Sequence, residues 1–226
     1  MKRMNLLMLA ALTALAAMAV VASPASASAT VCTKDAALQD IAVCEGDHGN
    51  HLKIGSKISA SLTTGTNAVL TVTNADGSTN RVVTCTASSV GGELTTTTGG
   101  GNITSLTFTN CSSPNCTGVS ASAPRTGKSF PWASTATPLP VTNGQLHVTG
   151  PSGKFTATCF FITATCEYET SSATVEVTNS TSTTKPIIHA KAVPLTRVAG
   201  AESICGTKAD WTAQYTVSSP ATLTIL

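Results

Sequence analysis

The sequence predicts an all-β protein, a two-sheet antiparallel β-sandwich of immunoglobulin-like or jelly-roll-like type, braced by disulfides. Three observations carry this expectation. Apolar and polar residues alternate with period two along much of the chain, and no stretch keeps the three-and-four spacing of a helix for more than a turn or two. Thr and Val are abundant, and their branched side chains fit a pleated, half-buried surface. All eight cysteines lie downstream of an export signal, where an even number reads as four disulfides.

Lys2 and Arg3 open the chain, Leu6 to Val21 is an almost unbroken apolar run, and Ala27-Ser28-Ala29 fits a cleavage site. Residues 1–29 therefore read as a secretory signal peptide cut after Ala29. The apolar run is short for a membrane anchor. Val31 stands where a lipoprotein signal needs a small residue before Cys32. Residues 30–53 then read as an extension tied by a disulfide, and residues 54–226 as one sandwich domain with no interdomain linker.

Within that domain Ile58, Ala60 and Leu62 share one face, and Leu70 and Val72 continue the pattern. Asp76-Gly77 marks a tight turn into a strand carrying Val83, Cys85 and Ala87. Thr95–Gly101 reads as a loop. Leu106 and Phe108 mark a strand ending at Cys111, and Val119, Ala121 and Ala123 another. Leu146 and Val148 follow. Phe155, Ala157, Cys159 and Phe161 then share a face, and Val175 and Val177 alternate with polar residues. Ile188, Ala190 and Ala192 oppose His189 and Lys191. Trp211, Ala213, Tyr215 and Val217 form a clear inward row, and Leu223 and Ile225 close the chain. About ten short strands at this spacing suit packed antiparallel sheets.

Charge excludes several functions. The chain's 13 Lys and Arg face 11 Asp and Glu, and loss of Lys2 and Arg3 with the signal leaves eleven against eleven. No basic field exists to bind nucleic acid or to hold an anionic membrane surface electrostatically. The mature chain holds no membrane span. The Glu45, Asp47, His48 and His51 cluster sits in a Gly-containing segment beside Cys44 and reads as a polar loop rather than a metal site. Glu167 and Glu169 flank Tyr168 on one strand, whereas a glycosidase pair stands across a cleft. His147 and His189 lie within strands with no nucleophile elbow nearby. No catalytic motif, metal site or cofactor is expected. Trp132, beside Pro131 between strands, is the one candidate for an exposed aromatic ligand platform.

Several short motifs have a counterpart. They are Cys85-Thr-Ala-Ser-Ser, Leu106-Thr-Phe108-Thr-Asn-Cys111, Phe130-Pro131-Trp132, Cys166-Glu-Tyr168, Cys205, and the closing Trp211–Val217 and Leu223–Ile225 strands. With them, roughly residues 54–226 resemble uncharacterised exported proteins of actinobacteria. The resemblance implies a secreted sandwich with bridges Cys85–Cys111 and Cys166–Cys205, and no known activity. Cys32, Cys44, Cys116 and Cys159 stand as additions to that pattern. Sequence distance is consistent with Cys32–Cys44 as a small loop, which leaves Cys116 for Cys159. A competing solution joins Cys159 to Cys166 and Cys116 to Cys205.

The expected function is that of a secreted, non-enzymatic structural or protein-interaction module at or outside the cell envelope, its partner an unknown protein or glycan. The C-terminal strand is the candidate open edge for a partner's strand. The alternatives are a carbohydrate-binding module anchored by Trp132 and a secreted hydrolase.

Overall fold

The computed structural model describes residues 30–32, 52–139, 143–180, 183–202, 204–221 and 223–225. Their regular structure is entirely extended. In chain order the strands are β1 (Val31–Cys32), β2 (Lys57–Leu62), β3 (Ala68–Thr73), β4 (Thr79–Leu94), β5 (Gly100–Ser112), β6 (Cys116–Ser122) and β7 (Trp132–Pro138). There follow β8 (Asn143–Thr149), β9 (Ser152–Cys159), β10 (Ile162–Glu169), β11 (Ser172–Thr178), β12 (Ile187–Arg197), β13 (Lys208–Ser219) and β14 (Thr224–Ile225).

The all-β expectation holds, and the two-sheet sandwich does not. The sheet closes into an eight-stranded antiparallel barrel, with β6, β9 and β10 outside the ring. Around the ring run β13, the β2/β3 pair, β4, β5, β7, β8, β11 and β12, which returns to β13. β2 and β3 fill one position between them: β13 pairs with β2 through Tyr215–Ser219 and with β3 through Lys208–Thr212. Period-two alternation reports which way each side chain faces, and that is the same in a sandwich and in a barrel. Closure depends on the β12–β13 ladder, from Ile187↔Thr216 to Thr196↔Lys208, for which no local signal exists.

Bending the sheet into a ring needs local relief. β4 and β5 carry a bulge at Gly91/Gly92. A Cβ on Gly92 would stand 2.8 Å from the Asn102 carbonyl oxygen, and one on Gly101 would stand 2.9 Å from that of Glu93. The two backbones approach too closely for any side chain at these points. A second bulge lies between Ala190 and Val193 in β12. It breaks the expected row of Ile188, Ala190 and Ala192: Ala192 takes a positive φ of 47° and is exposed, and Val193 turns inward.

The inward row of β13 has Ala209, Ala213, Tyr215 and Val217 buried, with Trp211 half-buried among them. The Ser88 hydroxyl donates to the Thr107 carbonyl at 2.6 Å. Its only proton is thereby used, so Tyr215 donates to Ser88 Oγ at 2.8 Å. The interior is apolar and the outward face rich in Thr, the reverse of a lipid-spanning barrel. No helix among the described residues is long and apolar enough to cross a membrane.

One end of the barrel is plugged. β1 pairs with β14, Val31 opposite Ile225 and Cys32 opposite Thr224. Val31, Leu223 and Ile225 pack there with Leu94, Ala136 and Val177. The Asn179 side chain brackets Ile225, donating to its carbonyl and accepting from its N–H, both at 3.0 Å. Ser180 treats Leu223 the same way at 3.1 and 3.2 Å. The expectation of an open C-terminal edge is therefore overturned, because the strand is paired and buried.

The three outer strands leave the ring from β12, where Tyr168 and Glu169 of β10 pair with Arg197 and Thr196. β9 and then β6 extend that sheet. Phe155, Ala157, Cys159, Ala164, Cys166 and Tyr168 turn inward and join Val83 and Cys85 of β4 in the principal core.

Candidate functional site

The β9–β10 hairpin has a sequence that mirrors itself. Thr156-Ala157-Thr158 precedes Cys159-Phe160-Phe161-Ile162, and Thr163-Ala164-Thr165 follows. Folding the chain back at Phe160-Phe161 sets Cys159 opposite Ile162, Thr158 opposite Thr163 and Thr156 opposite Thr165. The facing threonines bond to each other, Thr158 to Thr163 at 2.8 Å and Thr156 to Thr165 at 2.9 Å. On the other face Ala157, Cys159, Ala164 and Cys166 are buried. Ile162 shares that inward parity yet is 57% exposed, so the hairpin has run past the rim of the core.

The turn itself is Phe160-Phe161. Both residues have positive φ, 49° and 69°. Two left-handed residues in a two-residue loop mark a type I′ turn, a conformation that suits Asn-Gly and strains a bulky side chain. Both rings face solvent, Phe160 at 77% exposure and Phe161 fully. The base of the tip is fixed. Cys116 and Cys159, opposite each other on β6 and β9, form a disulfide, and the Arg81 guanidinium lies against both sulfurs. Ile204, also exposed, is at this end, since Asn80 beside Arg81 donates to the Ile204 carbonyl at 3.5 Å.

Within the hairpin's own two strands, charge begins well below the tip, although Arg81 of β4 reaches the Cys159 sulfur beside it. Residues 155–166 carry none. The first charged rung is Lys154 opposite Glu167, five steps from Cys159–Ile162, or about 17 Å at strand spacing. There Arg125 Nε donates to Glu169 Oε2 at 2.9 Å, and the same guanidinium stands 3.9 Å from Glu167. The Arg125 hydrogen bond, aided by Lys128, holds the Glu169 carboxyl below its usual range. Glu167 and Glu169 thus share a cation at the strand surface rather than facing each other across a cleft.

Among the described cysteines, Cys85 bonds to Cys111, Cys116 to Cys159 and Cys166 to Cys205. The first two bonds each join residues directly opposite in neighbouring strands. The competing Cys159–Cys166 and Cys116–Cys205 arrangement is not the one present. Cys32 is also disulfide-bonded, while Cys44 and the Glu45, Asp47, His48 and His51 cluster lie outside the described residues.

Trp132 is not an exposed platform, which corrects the sequence expectation. It starts β7 with inward parity, is 7% exposed and lies tilted against the Phe130 ring, centroids 4.7 Å apart. With Leu70, Leu106, Phe108 and Trp211 it lines a partly open apolar pocket of about 70 Å³, room for a few waters. The glycan-module alternative loses its proposed anchor.

His147 sits between Thr137 and Thr174, bonded at 3.1 and 2.9 Å, on the outer face. Burial, with Lys191 alongside, lowers the His189 pKa from its usual value. Among the described residues no three His, Cys, Asp or Glu side chains gather as a metal would require.

The sequence reading missed the Phe160-Phe161 tip because it ran the strand on through Phe161. The repeated Thr-Ala-Thr flanking two phenylalanines was the signal that would have placed a hairpin turn there. No family model matches this chain, and no curated protein or solved structure matches it either.

Proposed function

We propose that this is an exported, non-enzymatic attachment protein, in which the barrel is a rigid holder and Phe160, Phe161 and Ile162 are the docking element. The carrying observation is the tip. Two phenylalanines at positive φ cost conformational energy, and their exposure costs solubility. The barrel needs neither cost, since Asn-Gly makes the same turn. Strained, exposed, apolar residues on a braced hairpin are the pattern of a contact surface. The three disulfides among the described residues are compatible with an oxidising extracellular setting.

The test is retention in the native host. Mature protein is expected to stay with the envelope fraction. The Phe160→Ser/Phe161→Ser variant, with an unchanged melting temperature or a higher one, is expected to move to the medium. Equal retention of the two proteins would overturn the proposal.

A further inference from the structure

We infer that the surface taken up by this tip is the interface of an uncharged lipid bilayer, entered by Phe160, Phe161 and Ile162. The inference rests on the reading of the tip as the docking element and names its partner.

Three features favour lipid over a protein pocket. The first is the lack of polar demand. Residues 155–166 carry no charge, and the hydroxyls of Thr156, Thr158, Thr163 and Thr165 are already paired with one another. Moving the turn residues Phe160, Phe161 and Ile162 out of bulk water buries no charged side chain and leaves those four hydroxyls with partners. A protein partner recognised with specificity is ordinarily met by polar groups set around an apolar anchor, and the three side chains at this tip, Phe160, Phe161 and Ile162, are all apolar.

The second is shape. The contact residues form a convex two-residue turn with Phe161 wholly exposed, flanked by Phe160 and Ile162. Aromatic and aliphatic side chains on such a projection reach the boundary between headgroups and acyl chains, about 5–10 Å deep. The hairpin's own strands carry no charge for about 17 Å, and Arg81, against the disulfide at the last rung, is placed at headgroup level when the turn is inserted.

The third is rigidity. The Cys116–Cys159 bridge sits on the last rung before the turn, and a tip held this way gives up little conformational entropy on insertion. The charges near the base are few and of both signs: Arg81 lies against the disulfide, Glu202 accepts from the Thr165 N–H at 2.8 Å, and Arg197 donates to the Glu202 carbonyl at 3.5 Å. None of them is on the turn itself, so insertion of the turn depends on apolar contact.

The experiment is flotation of oxidised mature protein with protein-free phosphatidylcholine vesicles. Binding is expected to be the same when phosphatidylglycerol is added and at low or high salt. Phe161→Ala is expected to weaken partition about tenfold or more, and Phe160→Ala/Phe161→Ala to abolish it. Failure of the native protein to float, flotation only with anionic lipid, or undiminished flotation of the double variant would each overturn the inference. If the native protein ignores vesicles while the Phe160→Ser/Phe161→Ser variant still leaves the host envelope, the partner is not lipid and the attachment reading survives. If neither effect is seen, both fall.

Discussion

Exchanging Phe160 and Phe161 for the Asn-Gly pair favoured by a type I′ turn is expected to stabilise the barrel while removing its docking tip. Both phenylalanines hold positive φ, 49° and 69°. A left-handed residue other than glycine costs on the order of 1–3 kcal/mol. Phe160→Asn relieves part of this cost, and Phe161→Gly relieves all of its share. Glycine returns about 0.5–1 kcal/mol through the greater freedom of the unfolded chain. The rings are 77% and fully exposed, so few packing contacts are lost. The net gain is about 1–2 kcal/mol, and at about 2–4 °C per kcal/mol for a domain of this size the melting temperature should rise by about 2–8 °C. Calorimetry or near-ultraviolet circular dichroism on the oxidised protein measures this. An unchanged or lower melting temperature would show that the turn stores no strain, and the argument from strain to contact would fail.

Three further outcomes follow from the interior. Tyr168 and Tyr215, the chain's two tyrosines, are both pushed up by burial to about 12. Because each folded value lies above the unfolded value of 10.0, stability should hold below pH 10 and fall as pH rises from about 10 to 12. Tyrosinate absorbance appearing near pH 10 with the fold intact would contradict this. Asn179→Ala removes both hydrogen bonds to Ile225 and should cost about 1–3 kcal/mol in urea unfolding, with faster amide exchange at Ile225. Slow exchange there would mean that the plug is held by packing alone. Replacing Cys116 and Cys159 by Ser opens a crosslink with a sequence separation of 43 and should cost about 3–4 kcal/mol on the chain-entropy account. Unfolding of the double variant at the native denaturant midpoint would count against that account.

Facing was legible in the sequence and closure was not. The row Trp211, Ala213, Tyr215 and Val217 reads directly as one side of a strand. Asp76-Gly77 reads as the turn it makes, with Asp76 Oδ1 accepting from the Ser78 N–H at 2.9 Å. β7 was missed because its inward positions are Trp132, Ser134 and Ala136, and a buried Ser breaks the apolar pattern. The loop expected at Thr95–Gly101 ends sooner, since Gly100 and Gly101 already pair with Thr135 and Ser134. Barrel closure rests on β12 meeting β13 and on β4 changing partner from β3 to β2, both pairings between distant segments. The docking tip was hidden by a related ambiguity. Phe161 continues the parity of Phe155, Ala157 and Cys159, and only the mirrored Thr-Ala-Thr segments show that the chain has turned.

Phe161→Trp places a fluorescent reporter at the point of contact, while Trp132 is buried and Trp211 half-buried against the core. On addition of phosphatidylcholine vesicles, emission from position 161 should shift to the blue and be quenched by brominated acyl chains. Emission that stays at its aqueous wavelength and escapes quenching, with the protein folded and oxidised, would contradict the claim that this hairpin enters an apolar surface.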